Sequence, residues 1–244
     1  TDSSGLASTK FTLGNKAGDY LVTARVKNVP VVTFRATAQP GAATAFTQLT
    51  GAGQSAVIAT VLPADLSMRV VDAGGNNVSG TPVQFTILSA PANASGQRLS
   101  SASATSDANG IARVSLTLGN KVGTYIVRAS GTNIPDTTFA VTATHGTAAA
   151  MAVASGLSQS RPILTALDAM SVRLTDIGDN IVPGSTVQFT IVQRPAGDTS
   201  ASLSAQSVIT DTAGIASVQL TLGSKVGLYR IKATITTPGM PEAM

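Results

Sequence analysis

Three tyrosines, three of the lysines, the aspartates of two turns and one histidine carry the reactive groups of this 244-residue chain. Tyr20, Tyr125 and Tyr229 each follow a glycine-bounded corner that holds Lys16, Lys121 or Lys225, reading NKAGDY, NKVGTY and SKVGLY. A phenol four residues after an ammonium reads either as a Tyr-Lys ligand site or as a structural bend. A catalytic loop is needed once per active site and a bend once per repeat, so the bend is the expectation. A lysine near an asparagine also raises a self-made isopeptide bond, which needs both groups buried beside an acid. Lysines in such corners are expected in solvent instead. Asp72 with Asn76 and Asn77, and Asp176 with Asp179 and Asn180, offer one or two carboxylates to a calcium ion that takes six to eight oxygens. The plainer expectation is Asp and Asn closing a turn by local hydrogen bonds.

Catalysis fails on inventory. His145 is the sole histidine, sits beside Gly146, and has Pro40 as its counterpart one repeat earlier, so no general base is read there. Glu242 is the sole glutamate, and a carboxylate pair would have to come from aspartates already used in turns. No phosphate-cradling glycine loop is found. No catalytic, cofactor-binding or metal-ligating residue is assigned, no cofactor is expected, and the chain is not expected to be an enzyme.

The elements that carry these residues repeat. A shift of 104 residues lays 45–140 on 149–244 without a gap, and a shift of 105 lays residues 1–20 on the corner of the next copy. A fixed period of this size signals an array of like modules. Within one period the apolar residues alternate: Leu66, Met68, Val70; Val83, Phe85, Ile87; Val114, Leu116, Leu118; Tyr125, Val127, Ala129; Phe139, Val141, Ala143. Period two is that of a half-buried strand. About seven strands with a turn every eight to twelve residues predict an all-β chain of antiparallel sandwiches. The apolar run Ala148–Ala154 is read as a linker or first strand, and no helix is expected. The predicted divisions are 1–41, the C-terminal part of a truncated module with three strands; 42–146, a complete module; and 147–244, a module lacking its last strand.

Composition removes other classes. Hydrophobic residues are 43% of the chain but aromatics 4%, so the core is aliphatic, and charged residues are 11%. The net charge of +4 is scattered, without the basic stripe and interleaved aromatics that phosphate tracking and base stacking require, so no nucleic-acid partner is expected. No apolar run approaches the roughly 20 residues of a bilayer span, so no membrane insertion is expected in this segment. There is no cysteine and hence no disulfide framework. The first residues lack a secretory leader, so any export signal is expected outside this sequence.

The order D-x-x-G-x-x-V-x-G-x-x-V-x-F-x-I from Asp72, then Leu-Ser, then T-D-x-x-G-I-A-x-V-x-L, then G-x-Y-x-[VI]-x-A resembles the bacterial immunoglobulin-like modules of invasin and intimin type surface proteins. The resemblance spans essentially the whole chain. It implies tandem immunoglobulin-like sandwiches at an extracellular bacterial surface, acting as a stalk or spacer whose partners are neighbouring modules of the same longer chain. It also implies the tyrosine bend of that fold, the hydroxyl bonding back to upstream backbone. No lectin-like tip domain or membrane anchor is found in these residues. The alternative is a direct binding module using loops such as 89–98 and 193–201, or a filament subunit. In the latter, Val31–Ala38 would supply a strand to the C-terminal module of another copy, giving head-to-tail self-assembly.

Overall fold

The structure is a computed structural model that describes residues 1–235. Every regular element in them is a strand. The alternation read from the sequence is the reason: in Leu66–Asp72 the side chains of Leu66, Met68 and Val70 are fully buried, and in Pro82–Ser89 the buried residues are Val83 and Phe85.

Between Ala43 and Thr144 the strands form two layers. One sheet has the order Ser55–Val57, Ile134–Thr144, Gly123–Gly131, Pro82–Ser89, Ser103–Thr105; the other runs Ala43–Thr50, Leu66–Asp72, Ile111–Val114. Phe85, Val127 and Val141 from the first meet Met68, Val70 and Ala112 from the second in one core. Burying each large aliphatic side chain contributes about 1.5–3 kcal/mol, enough for a core almost without aromatics. The chain is thus all-β, with sandwich layers whose pairs among the described residues are antiparallel except one: Ser55–Val57 runs parallel to Thr142–Thr144.

From Ala150 to Ile235 the pattern recurs. Ala150–Ser155, Met170–Thr175 and Ile215–Val218 form one sheet, and Ser207–Ile209, Thr186–Gln193 and Arg230–Ile235 the other. Leu174, Val187, Phe189 and Val218 fill the space between. The apolar run at 148–154 supplies the first strand. No strand pair of the described residues crosses 145–149. The counterpart of the strand Ile134–Thr144, expected to be missing from the third copy, falls at residues outside those described.

Two local expectations change. The run Val114–Leu118 is not one strand: it breaks at Ser115, whose N–H donates to Ser100 Oγ and whose carbonyl accepts from Ser100 N–H, and Leu116–Thr117 then pairs with Arg98–Leu99. Residues 1–41 contain two strands, Gly18–Ala24 and Val32–Ala38, rather than three. In the central copy the segment that would be the third, Ile111–Val114, pairs with Leu66–Asp72. Residues 6–13 form no strand here. Val32–Ala38, the strand considered for exchange, is paired along its length with Gly18–Ala24 of its own chain.

Candidate functional site

The site assembles from two motifs that are remote in sequence. The first is the corner. Tyr125 is fully buried and its hydroxyl donates to the carbonyl of Lys121 at 2.9 Å; Tyr20 does the same to Lys16 at 2.7 Å and Tyr229 to Lys225 at 2.8 Å. Burial pushes the Tyr125 phenol above its usual range. Gly123 has φ 134°, open to glycine but rarely to other residues. Gly119 is required for a different reason than backbone angle: a Cβ there would lie 2.8 Å from the Tyr125 hydroxyl and 2.9 Å from the carbonyl of Ser95. The corner is therefore a fixed platform that aims one lysine outward.

The second motif is the turn of the following copy. Asp72 Oδ1 accepts the N–H groups of Gly74 and Asn76, each at 2.8 Å, and Asn76 Nδ2 donates to both carboxylate oxygens at 3.0 and 2.9 Å. Oδ2 also takes the N–H of Gly41, in the connection between copies, at 2.7 Å. Asp176 repeats the set with Gly178, Asn180 and the connecting Gly146. These carboxylates are already occupied by N–H donors, the arrangement of a turn lock and not of a calcium cage. No group of three or more potential metal ligands is found among the described residues.

Corner and turn meet. Lys121 Nζ donates to the carbonyl of Gly178, Asn180 Nδ2 donates to the carbonyl of Asn120 at 2.9 Å, and Val122 N–H donates to Asn180 Oδ1 at 3.1 Å. One copy earlier, Lys16 Nζ reaches the carbonyl of Gly74 at 2.7 Å, Asn76 Nδ2 the carbonyl of Asn15 at 2.8 Å, and Ala17 N–H the Asn76 Oδ1 at 2.9 Å. The contact is so close that a Cβ on Gly178 would fall on the Asn120 carbonyl, and one on Gly74 on the Asn15 carbonyl. The same three-point joint is thus built twice. Lys16 is exposed, as expected of a corner lysine, and Lys121 is half-buried; each ammonium ends on a glycine carbonyl.

The electrostatics favour a charged, closed joint. The side-chain amide of Asn76, then its backbone N–H and that of Gly41, hold the Asp72 carboxyl down from 3.8 to about 2. Burial pushes Asp176 up, but the N–H groups of Gly146, Asn180 and Gly178 outweigh it and leave the carboxyl below its usual range. A depressed folded-state value stabilises above the unfolded value and loses that stabilisation as pH falls. The first joint should therefore hold at neutral pH, weaken below 3.8 and open as pH approaches about 2. Amide resonances of Gly41, Gly74 and Asn76 followed from pH 6 to 2 check this, and a midpoint near the ordinary aspartate value would refute it.

The other groups considered stay apart from the joint's contacts. His145 Nδ1 lies 2.9 Å from the carbonyl of Gly146. Loop 89–98 is tied under its corner, Ser95 N–H donating to Asn120 Oδ1, and loop 193–201 likewise through Asp198 and Ser200, which both accept from Ser224 N–H. Both serve as supports. A groove of about 570 Å³ beside Arg230–Ile235 is walled chiefly by Leu167, Met170, Phe189, Leu220 and Ile231. In the central copy the equivalent edge carries Ile134–Thr144, and here its counterpart lies outside the described residues. No helix among the described residues is long and apolar enough to cross a membrane.

No family model matches the chain. The chain is 29% identical over 197 residues to an inverse autotransporter adhesin, YeeJ, of Escherichia coli (strain K12), a match covering 79% of this chain and 8% of that protein. It therefore spans a small part of the relative it matches. Among solved structures, the Escherichia coli adhesin FdeC superposes with a TM-score of 0.57 at 19% identity, covering 92% of this chain and 71% of that one, which supports the fold. The D00-D0 domain of intimin matches at 13% identity and a TM-score of 0.41, covering 82% and 96%, too loosely to add to the argument.

Proposed function

We propose, from the premise that this chain is built of bacterial immunoglobulin-like modules of the invasin/intimin type, that it is a stretch of stalk in a bacterial surface adhesin. Residues 1–41, 42–146 and 147–244 are consecutive pieces of that stalk, each module's partner being the next. The supporting observation is the joint: three hydrogen bonds and a glycine contact, made twice between matching donor and acceptor groups, where a flexible linker would make none. A spacer needs reach and direction, and an array delivers reach only if neighbours cannot fold back on one another. The lysine, asparagine and aspartate that a catalytic or ligand-binding reading would need are consumed in that contact. The loops at 89–98 and 193–201, which a binding module would present, hold up the corners instead.

Small-angle scattering tests the reading. A chain lacking residues 42–146 keeps a Lys16 corner facing the Asp176 turn. It should lose a maximum dimension on the order of 30–40 Å, one module judged from strands of about ten residues with their loops. An unchanged dimension, or a broad spread typical of free hinges in the intact chain, would overturn it.

A further inference from the structure

The third corner, Leu222–Gly227, makes the same bend as the other two, with φ at Gly227 of 148° against 134° at Gly123 and 136° at Gly18. Its tyrosine bond to the Lys225 carbonyl is kept. Its sequence differs at one telling place, Ser224 where the others have Asn15 and Asn120. In the occupied second joint, however, Asn120 offers its neighbour a backbone carbonyl, while its side chain accepts Ser95 N–H inside its own module. The inward task at the third corner passes to Asp198 and Ser200, which take the N–H of Ser224. The substitution therefore alters the underside of the corner and leaves all three outward groups: the Ser224 carbonyl, the Lys225 ammonium and the Val226 N–H. Val122, seated in the second joint, is 42% exposed, and Val226 at the same place in the third corner is 89% exposed. That difference marks surface which a docked turn covers.

We propose that Ser224, Lys225 and Val226 form the receiving half of a further joint. Its occupant is the Asp-x-Gly-x-Asn turn of another immunoglobulin-like module, of the kind this chain presents at Asp72–Asn76 and Asp176–Asn180. The assignment rests on the stalk reading and adds to it a defined docking surface with three named contacts. The turn's Asn amide bridges the Ser224 carbonyl and the Val226 N–H, Lys225 Nζ caps the carbonyl of the turn's glycine, and that glycine admits no larger residue.

The test uses two proteins. The receiver is the full chain, whose own turns are both covered. The donor is residues 42–244 carrying Lys225→Ala, which uncovers the Asp72–Asn76 turn and removes the donor's own receiving lysine. The cores of the donor contain no residue from 1–41, so the truncation removes nothing from either core. With ¹⁵N-labelled receiver, added donor should shift the amide resonances of Ser224, Lys225, Val226 and Gly227. Half-saturation is expected at millimolar donor, on the order of the effective concentration that a short linker normally supplies. Asn76→Ala in the donor, or Lys225→Ala in the receiver, should weaken the titration at least about tenfold, the factor for one lost hydrogen bond near the top of its usual range. No shift at these amides up to millimolar donor, or a shift that survives Asn76→Ala, overturns the proposal. The donor's own amide dispersion reports that it is folded. A null result here with the scattering outcome intact would dismiss the third corner alone and leave the stalk standing.

Discussion

Gly178→Ala is expected to disconnect the two copies that it joins while leaving both cores folded. The residue does not have a positive φ, so alanine brings no backbone strain of its own. Its new methyl would instead fall on the carbonyl oxygen of Asn120, a backbone atom across the joint, and would also crowd the Asn180 amide of its own turn at 2.7 Å. Separation forfeits the Lys121, Asn180 and Val122 bonds, each worth about 0.5–1.5 kcal/mol net, so the joint should weaken by roughly 2–4 kcal/mol. Residual dipolar couplings check it directly. In the parent chain, strands Gly123–Gly131 and Thr186–Gln193 should fit one alignment tensor; in the variant they should need two. Amide protection inside each core should not change. Gly146→Ala is the control, since the nearest atoms to its added Cβ are 3.6 Å away. One shared tensor in Gly178→Ala would mean that the contact does not orient the modules.

The argument transfers to Gly74, whose Cβ would strike the Asn15 carbonyl, and this shared requirement explains a pattern that is odd as turn chemistry. The two turns read DAGGN and DIGDN. At the fourth position Gly75 and Asp179 both have positive φ, 73° and 57°, and there the sequence tolerates a change because aspartate enters that region more readily than most residues. At the third position, where φ is ordinary, glycine is kept in both. Backbone conformation alone would have favoured the opposite choice.

That contrast marks the boundary of what the residues disclose unaided. The strands Leu66–Asp72, Pro82–Ser89, Gly123–Gly131 and Ile134–Thr144 follow from period-two alternation because burial acts on each residue through its immediate neighbours along the strand. The tyrosine bend was legible too, since a phenol, two glycines and a lysine recur within ten residues. The joint was not. Lys121 and Gly178 are 57 residues apart, and two of the joint's acceptors are backbone carbonyls, which every residue type possesses. Read locally, each half is a complete turn with its own satisfied hydrogen bonds, so nothing in either half signals an unmet need. The usable clue was the glycine of D-x-G-x-N, retained in both copies without a conformational reason. The break at Ser115 and the parallel strand Ser55–Val57 were hidden likewise, because both depend on partners elsewhere in the sequence, Arg98–Leu99 and Thr142–Thr144.

Tyr125 links core stability to the joint, and its variants should separate the two. Tyr125→Ala empties a fully buried aromatic site and is expected to cost about 3–5 kcal/mol, seen as faster hydrogen exchange at Val127 and Phe85. Tyr125→Phe keeps the ring and removes only the bond to the Lys121 carbonyl, which should cost about 0.5–1.5 kcal/mol. Because that carbonyl belongs to the residue whose ammonium crosses to Gly178, the hydroxyl also fixes where the lysine starts. Loss of the hydroxyl and loss of the Asn180 amide should therefore not be independent. In a double-mutant cycle of Tyr125→Phe with Asn180→Ala, the coupling should exceed the 0.3–0.5 kcal/mol scatter expected of separate sites. Strict additivity would mean that the bend only staples its own sandwich. Measurable coupling would make the phenol, buried in one module, part of what aligns the next, which explains why bend and lysine travel together through every repeat.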